Sequence, residues 1–236
     1  MAVKKKKKKK KYHGFWVFVK IQAVLLLLVL GGCAYYFYGG YAQEVRELKA
    51  EAEQLVRTST EETFRGNQTS VVYAADGSVI STLKGSRESY YLEYEDIPGN
   101  AVAAIVSIED KKFYRHDGVD YRAILRAVKA MIENGKVTQG GSAITMQLAR
   151  NVFISQEKTW QRKVEEIFIA WNLEEKYTKD QIIEFYLNNI YFGNGYYGIQ
   201  SASRGYFNKD VNDLSLSQIA FLCAIPNSPS YYDPMV

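Results

Sequence analysis

Three short stretches hold the residues whose types and spacing could do chemistry. In "SIEDKKFYRHDG" (residues 107–118) two adjacent acids, Glu109 and Asp110, close an apolar run of Ala101, Val102, Ile105, Val106 and Ile108. A carboxylate at the end of such a run is expected to be half-buried. Desolvation raises a carboxylate's pKa and suits it to general-base work near neutral pH. His116, one of two histidines in the chain, follows six residues after Asp110. Taken alone, a solvated pair of acids at a helix end is the simpler account of this stretch.

The second stretch is "QGGSAITMQLARN" (139–151). On a helix capped near Ser142, residues Ala143, Gln147, Arg150 and Asn151 share one face by i, i+3/i+4 spacing, with Ile144 and Leu148 on the apolar side. Polar groups behind a Gly-Gly loop and a helix N-terminus suit an anion. A capped surface helix fits the spacing equally well. The third stretch, "RKVEEIFIAWNLEEKY" (162–177), has Val164, Ile167, Phe168, Trp171 and Tyr177 as its expected core stripe. Arg162, Lys163 and Glu166 then fall on the outer side. An i, i+4 ion pair worth about 0.3–0.5 kcal/mol accounts for Arg162 and Glu166. Two cations for a diphosphate, with a carboxylate beside a sugar, account for the set as well.

The elements that must position these residues are mostly helices. "SVVYAADGSVISTL" (70–83) is a β-hairpin, because two β-branched runs flank Asp76-Gly77. Helices are expected from Pro98 to Ser107, over 120–134, near 143–152, over 159–177 and 179–189, and near 199–206 and 215–225. Thr178 and Gln181 form a capping box. "KVTQGGS" (136–142) reads as a flexible loop, "YFGNGYYG" (191–198) as a glycine-rich turn, and "PNSPSYYDP" (226–234) as extended coil. Residues 42–65 are rich in helix formers but sparse in apolar positions, which predicts a stalk helix without a deep core. The prediction is a mainly α chain with one globular domain and a small N-terminal β-hairpin.

The charge balance points to a membrane and away from nucleic acid. Residues 1–41 hold nine lysines and no acid; taking those nine from the 30 basic residues leaves 21 against 26 acids, a net −5 for the remainder. A nucleic-acid footprint needs a basic surface on the folded part. From Gly14 to Tyr38 only Lys20 and Gln22 interrupt the apolar and aromatic residues, a span of 25, enough for a bilayer core of about 30 Å. Trp16, Tyr35, Tyr36 and Tyr38 sit near its ends, where aromatic rings favour the headgroups. Lys20 can snorkel to the interface. The Lys4–Lys11 run is expected to stay cytoplasmic, placing everything after Gly40 outside. "LGGC" (30–33) also looks like a lipoprotein cleavage box that would lipidate Cys33, although the apolar run continues past it. Cys223, in "IAFLCAIP", is expected in the core, and no disulfide framework is available. The expected organisation is a basic tail over 1–13, a transmembrane helix over 14–38, a stalk over 39–69 and a globular domain over 70–236.

In order and spacing, the motifs resemble one family. "EDKKFYRHDG" (109–118) is similar to E-D-x-x-F-x-x-H-x-G, and "GGSAITMQLARN" (140–151) to G-[AG]-S-T-I-T-Q-Q-L-x-[KR]-N. "RKVEE" (162–166) resembles R-K-x-x-E. "IIEFYLNNIYFGNGYYGIQSASRGYF" (182–207) resembles I-L-E-x-Y-L-N-x-x-Y-F-G and its continuation. "LSLSQIAFLCAIPNSPSYYDP" (214–234) resembles the closing helix and proline-rich exit. Together they resemble the peptidoglycan glycosyltransferase domain (glycosyltransferase family 51) of class A penicillin-binding proteins, over about residues 70–236. Two positions depart from the pattern. Ala143 stands for the usual Thr and Met146 for the first Gln, which would remove hydrogen bonds to a bound sugar or phosphate. A working enzyme with altered binding is expected.

The resemblance implies a lysozyme-like, two-lobed fold and polymerisation of lipid II by inversion, with the growing glycan strand as donor and polyprenyl diphosphate as leaving group. It implies Glu109 as general base and Glu166 as the second essential carboxylate. Asp110 and His116 would support the base's segment. Arg150, Arg162 and Lys163 would meet the diphosphate, and Ser142, Gln147 and Asn151 would line the donor side. Glu184 and Asn188 would be buried hydrogen-bonders in the frame, and residues around 119–141 would partly cover the cleft. The implied partners are lipid II, the nascent glycan strand, the membrane and cell-wall synthesis proteins, in a bacterial cell membrane. No tightly held metal is expected, with a divalent cation such as Mg2+ an optional aid to the diphosphate. "SQEK" (155–158) has the S-x-x-K form of transpeptidases, but neither S-x-N nor K-T-G accompanies it. The chain stops at "SYYDPMV", where class A proteins continue, so a piece of a longer protein is expected over a monofunctional enzyme. A glycan-cleaving lytic enzyme and a non-catalytic membrane scaffold are the competing readings. A lytic enzyme has no need of the Arg150, Arg162 and Lys163 cations, and the scaffold is motivated by Ala143 and Met146.

Overall fold

A computed structural model describes residues 8–66, 70–83, 89–135, 140–154 and 159–232 of the chain. It divides into two compact units, residues 1–48 and 49–236. The first holds helix α1 (Lys8–Tyr38). Within it Gly14–Tyr38 is long and apolar enough to cross a membrane, and none of its most apolar window is buried. Burial by protein is not what these side chains are built for.

The second unit begins inside α2 (Tyr41–Thr58) and continues through α3 (Glu61–Arg65). The antiparallel hairpin of β1 (Ser70–Tyr73) and β2 (Val79–Leu83) follows. Its turn has Gly77 at φ +83, and the Asp76 carboxylate accepts from the Ser78 amide at 2.9 Å. Next come α4 (Gly99–Glu109), α5 (Tyr121–Asn134), α6 (Ile144–Val152) and α7 (Trp160–Lys176). The chain closes with α8 (Lys179–Asn189), α9 (Ile199–Phe207) and α10 (Leu216–Ala224). The architecture is mainly α, as expected. The Thr178–Gln181 capping box opens α8, and Asp120 caps α5, which ends on left-handed Gly135. Positions 136–139 and 155–158, including most of the "KVTQGGS" loop and all of "SQEK", lie outside the described residues, as do 233–236.

The core is organised around α8, whose residues from Ile182 through Asn188 are all buried. A helix buried on every side needs neighbours on every side, and α8 has them in α3, α6, α7 and α9. Phe185 stacks on Phe64 of α3 at 4.0 Å between ring centroids, and the Tyr177 ring meets both edge-on. On the far side α10 packs on α4. The expected polar groups of α8 sit where they can be satisfied. Glu184 accepts from the Tyr91 hydroxyl at 2.5 Å and the Tyr94 amide at 3.1 Å, and Asn188 exchanges both its amide hydrogen bonds with the Leu92 backbone at 2.8 Å.

Two expectations change here. The stalk is not one sparse helix: it breaks between Thr58 and Glu61, and Ala52, Val56 and Phe64 are buried in the main core. Small Ala52 and Val56 lie one turn apart and make a stripe too narrow to notice in the sequence. The break is stabilised from elsewhere in the chain, because the Lys176 ammonium donates to the Val56, Arg57 and Ser59 carbonyls, as a cation at a helix C-terminus does. The α7 stripe is also displaced. Its buried line is Glu166, Ile169, Ala170 and Leu173, while Val164, Ile167, Phe168 and Trp171 are only half-buried. Assigning the core by the bulkiest residues put Glu166 on the wrong side.

Candidate active site

Glu109 is the last residue of α4, and Asp110 leaves the helix at φ −155°. Asp110 is buried, and its carboxylate is shared by three segments. Oδ2 lies 2.8 Å from His116 Nε2 and accepts the Ile144 amide of α6 at 3.2 Å, while Oδ1 accepts the Lys112 amide at 3.3 Å. A carboxylate at the first turn of a helix is favoured by the helix dipole. His116 is held at its other end too, since the Lys179 ammonium donates to its carbonyl at 2.7 Å and lies over the Phe113 ring. Gly118 lets this segment close on α7: at φ +82 a Cβ there would sit 2.9 Å from the Ala170 carbonyl oxygen.

With Asp110 so occupied, Glu109 is the acid left over. It is half-buried, as expected. Its Oε2 accepts from Gln147 Nε2 at 3.0 Å, and its Oε1 is covered and has no hydrogen-bond partner among the described residues. The same Gln147 nitrogen lies 3.5 Å from the Ser142 carbonyl, and Gln147 Oε1 accepts from the Tyr186 hydroxyl at 3.1 Å.

Ser142 is not the helix cap. The N-cap of α6 is Ala143, which makes no side-chain capping bond, and the Asp110 carboxylate takes the role. The Ser142 hydroxyl instead accepts from Lys163 Nζ at 2.7 Å. Lys163 in turn lies 2.6 Å from Glu166 Oε2, with Arg162 Nε 3.3 Å from Oε1. Glu166 is wholly buried, so the expected outer-surface ion pair is a triad of one buried acid and two partly exposed cations. A carboxylate in such a place must be neutralised or paired, and two cations one turn N-terminal supply that.

A cleft of about 350 Å³ is bounded by Glu109, Gly140, Gly141 and Ser142, and its lining sets Lys111, Lys112 and Arg126 against Asp110 and Asp120. An unbroken chain of contacts runs Glu109–Gln147–Ser142–Lys163–Glu166–Arg162, and Asp110 with His116 braces its start. Arg150 and Asn151 are half-buried on α6 outside that chain. Tyr186 was missed by the reading of the sequence, which took its motif as frame. An interior tyrosine in an apolar helix carries no local sign of what its hydroxyl reaches.

The two departures from the family pattern are not cleft features of equal weight. Met146 is fully buried and packs with Ala143, Val119 and Ala170 in a small apolar cluster, partly covered by Ile124, Ile167 and Trp171. Ala143 also borders the cleft. Met146 therefore takes no hydrogen bond from a ligand and stands in core. Restoring the usual residue alone, Met146→Gln, is expected to bury an amide among apolar neighbours and destabilise the protein by about 1–3 kcal/mol. A lower thermal midpoint checks this, and an unchanged one would mean that the amide finds partners.

Residues 76–236 match the Transglycosylase family. The chain is 37% identical over 217 residues to penicillin-binding protein 4 of Bacillus subtilis, covering 92% of this chain and 35% of that protein. It is 38% identical over 223 residues to penicillin-binding protein 1F of the same organism, covering 93% and 29%. To penicillin-binding protein 1A of Pseudomonas aeruginosa it is 41% identical over 165 residues, covering 70% and 20%. The chain thus spans about a third or less of these relatives' length. With Glu109 held by Gln147 and Glu166 paired to Arg162 and Lys163 on a mainly helical, lysozyme-like frame, the match over 76–236 places the chain in the transglycosylase family, as a peptidoglycan glycosyltransferase domain of the class A penicillin-binding proteins.

Proposed function

We propose that this domain polymerises lipid II into β-1,4 glycan, with Glu109 as general base. The acceptor's 4-hydroxyl oxygen bonds to C1 of the growing strand as C1 parts from the diphosphate oxygen, with inversion. The hydroxyl proton passes to Glu109, and the electron pair of the broken bond leaves on polyprenyl diphosphate. The observation that carries this reading is the asymmetry of the Glu109 carboxylate: one oxygen is held by Gln147 and the other is without a partner among the described residues. A base must be held in a fixed orientation within reach of the proton it takes, and Gln147 supplies that hold.

Lys163 and Arg162 stabilise charge growing on the diphosphate, with Arg150 joining them when substrate is bound, and this electrostatic contribution is often the largest in catalysis. Glu166 keeps the two α7 cations in place. Ser142, Gln147 and Asn151 line the donor side, and Asp110 and His116 fix the segment that bears the base. Among the described residues no group of three or more His, Cys, Asp or Glu comes together, and a divalent cation such as Mg2+ stays an optional aid to the diphosphate. No step is routed through a metal. Gly14–Tyr38 crosses the membrane with the lysine run cytoplasmic, so the catalytic domain faces outward toward its lipid-linked substrate and any cell-wall synthesis partners.

The test is to incubate the purified chain in detergent with labelled lipid II and follow polymer length. Conversion to long glycan is expected. Shortening of preformed glycan would favour a lytic enzyme, and inertness toward both would favour a scaffold; either result overturns the proposal.

A further inference from the structure

Gln147 can hold Glu109 only if its amide faces the right way. The NH2 side lies between two acceptors, Glu109 Oε2 at 3.0 Å and the Ser142 carbonyl at 3.5 Å. Turned over, the amide would set its oxygen against both of them. The remaining side therefore presents Oε1, and what approaches it must donate. That group is the hydroxyl of Tyr186, 3.1 Å away and carried by the wholly buried side chain at the centre of α8.

We infer that Tyr186 is a positioning residue for the general base, acting through Gln147: its hydroxyl fixes the amide so that the NH2 group holds one oxygen of Glu109 and sets the orientation of the carboxylate. The inference rests on the assignment of Glu109 as base and extends it by one residue that never meets substrate. Burial, and next the charge of Glu109, keep the Tyr186 hydroxyl protonated far above the ordinary phenol range, so it remains a donor at any working pH. The other groups in electrostatic contact with this corner are Asp110, Arg150 and Cys223. Burial, with Glu109 adding to it, pushes the Cys223 thiol up to about 12, so it stays neutral. Nothing else in that corner competes for the Gln147 oxygen among the described residues.

The test is a cycle of Tyr186→Phe, Gln147→Ala and the double variant, in the full chain with labelled lipid II. Tyr186→Phe keeps the ring and its packing. It is expected to lower kcat about 10–100-fold with KM within about twofold. In the Gln147→Ala background, the same change is expected to have almost no further effect on kcat. Fully additive losses, or a fall in kcat matched by an equal rise in KM, would show a structural role only and overturn the inference. Near-normal kcat in Tyr186→Phe would overturn it too. Failure of the underlying reading looks different: Glu109→Gln would then remain active. An inactive Glu109→Gln beside a normal Tyr186→Phe removes this inference alone.

Discussion

Glu109→Gln is expected to fold normally and to lose about 10²–10⁴-fold of its lipid II turnover, the range that a positioned general base contributes. The substitution preserves shape, and a glutamine oxygen at the position of Oε2 can still accept from Gln147, so the 3.0 Å contact has a replacement. What disappears is the capacity to take a proton on the oxygen that is unpartnered in the native side chain. Turnover and thermal unfolding measured together separate the two effects. A variant with native stability and near-native turnover would remove Glu109 from the chemistry, since no lesser role for that carboxylate survives the change. Asp110→Asn is not an equivalent experiment, because Asp110 is committed to His116, Lys112 and Ile144, and its loss would disturb folding and catalysis at once.

The second large effect is expected in the triad around Glu166, and there the order of costs is the informative result. Arg162→Met leaves the wholly buried Glu166 with Lys163 alone, and Lys163 is 40% exposed, so it shields the acid incompletely. A buried charge with a lost partner costs about 3–5 kcal/mol. Glu166→Met is expected to cost less, since Lys163 can turn outward and Arg162, 18% exposed, can relax toward water. The double variant is expected to be more stable than Arg162→Met alone, because the orphaned acid is gone with its cation. Turnover is expected to fall at least about 100-fold in all three, because the cation arrangement that would meet the diphosphate is broken. Additive unfolding costs in this cycle would mean that the three groups are independent, contrary to their 2.6 Å and 3.3 Å contacts.

How much of this was legible beforehand follows from the range over which each determinant acts. The hairpin turn at Asp76-Gly77, the Thr178–Gln181 capping box and the half-buried setting of Glu109 depend on neighbours a few residues away, and each appears where the local pattern put it. Glu184 and Asn188 were expected as buried hydrogen-bonders from the family resemblance, and Tyr91, Tyr94 and Leu92 supply the partners that buried polar groups need. Most of the errors involve partners distant in sequence; Glu166, paired within its own helix, is the exception. Ser142 looked like a cap because nothing nearby shows that Asp110, 34 residues earlier, reaches Ile144. The break after Thr58 is capped by Lys176, about 120 residues on. Glu166 was assigned to the surface because a charge on the buried line is improbable without knowledge that Arg162 and Lys163 fold over it. Tyr186 lay in the same blind spot, since its hydroxyl meets a glutamine 39 residues before it.

The shared carboxylate of Asp110 has a mechanical consequence. It ties the end of α4 to the beginning of α6, so the residue that carries the base and the helix that aims it are fastened at one point. α6 cannot drift from that point, because it packs on both α7 and α8 and its Ile144, Met146 and Leu148 are wholly buried. Glu109 and Gln147 lie just either side of the tie, so their spacing is set by the most rigid part of the domain.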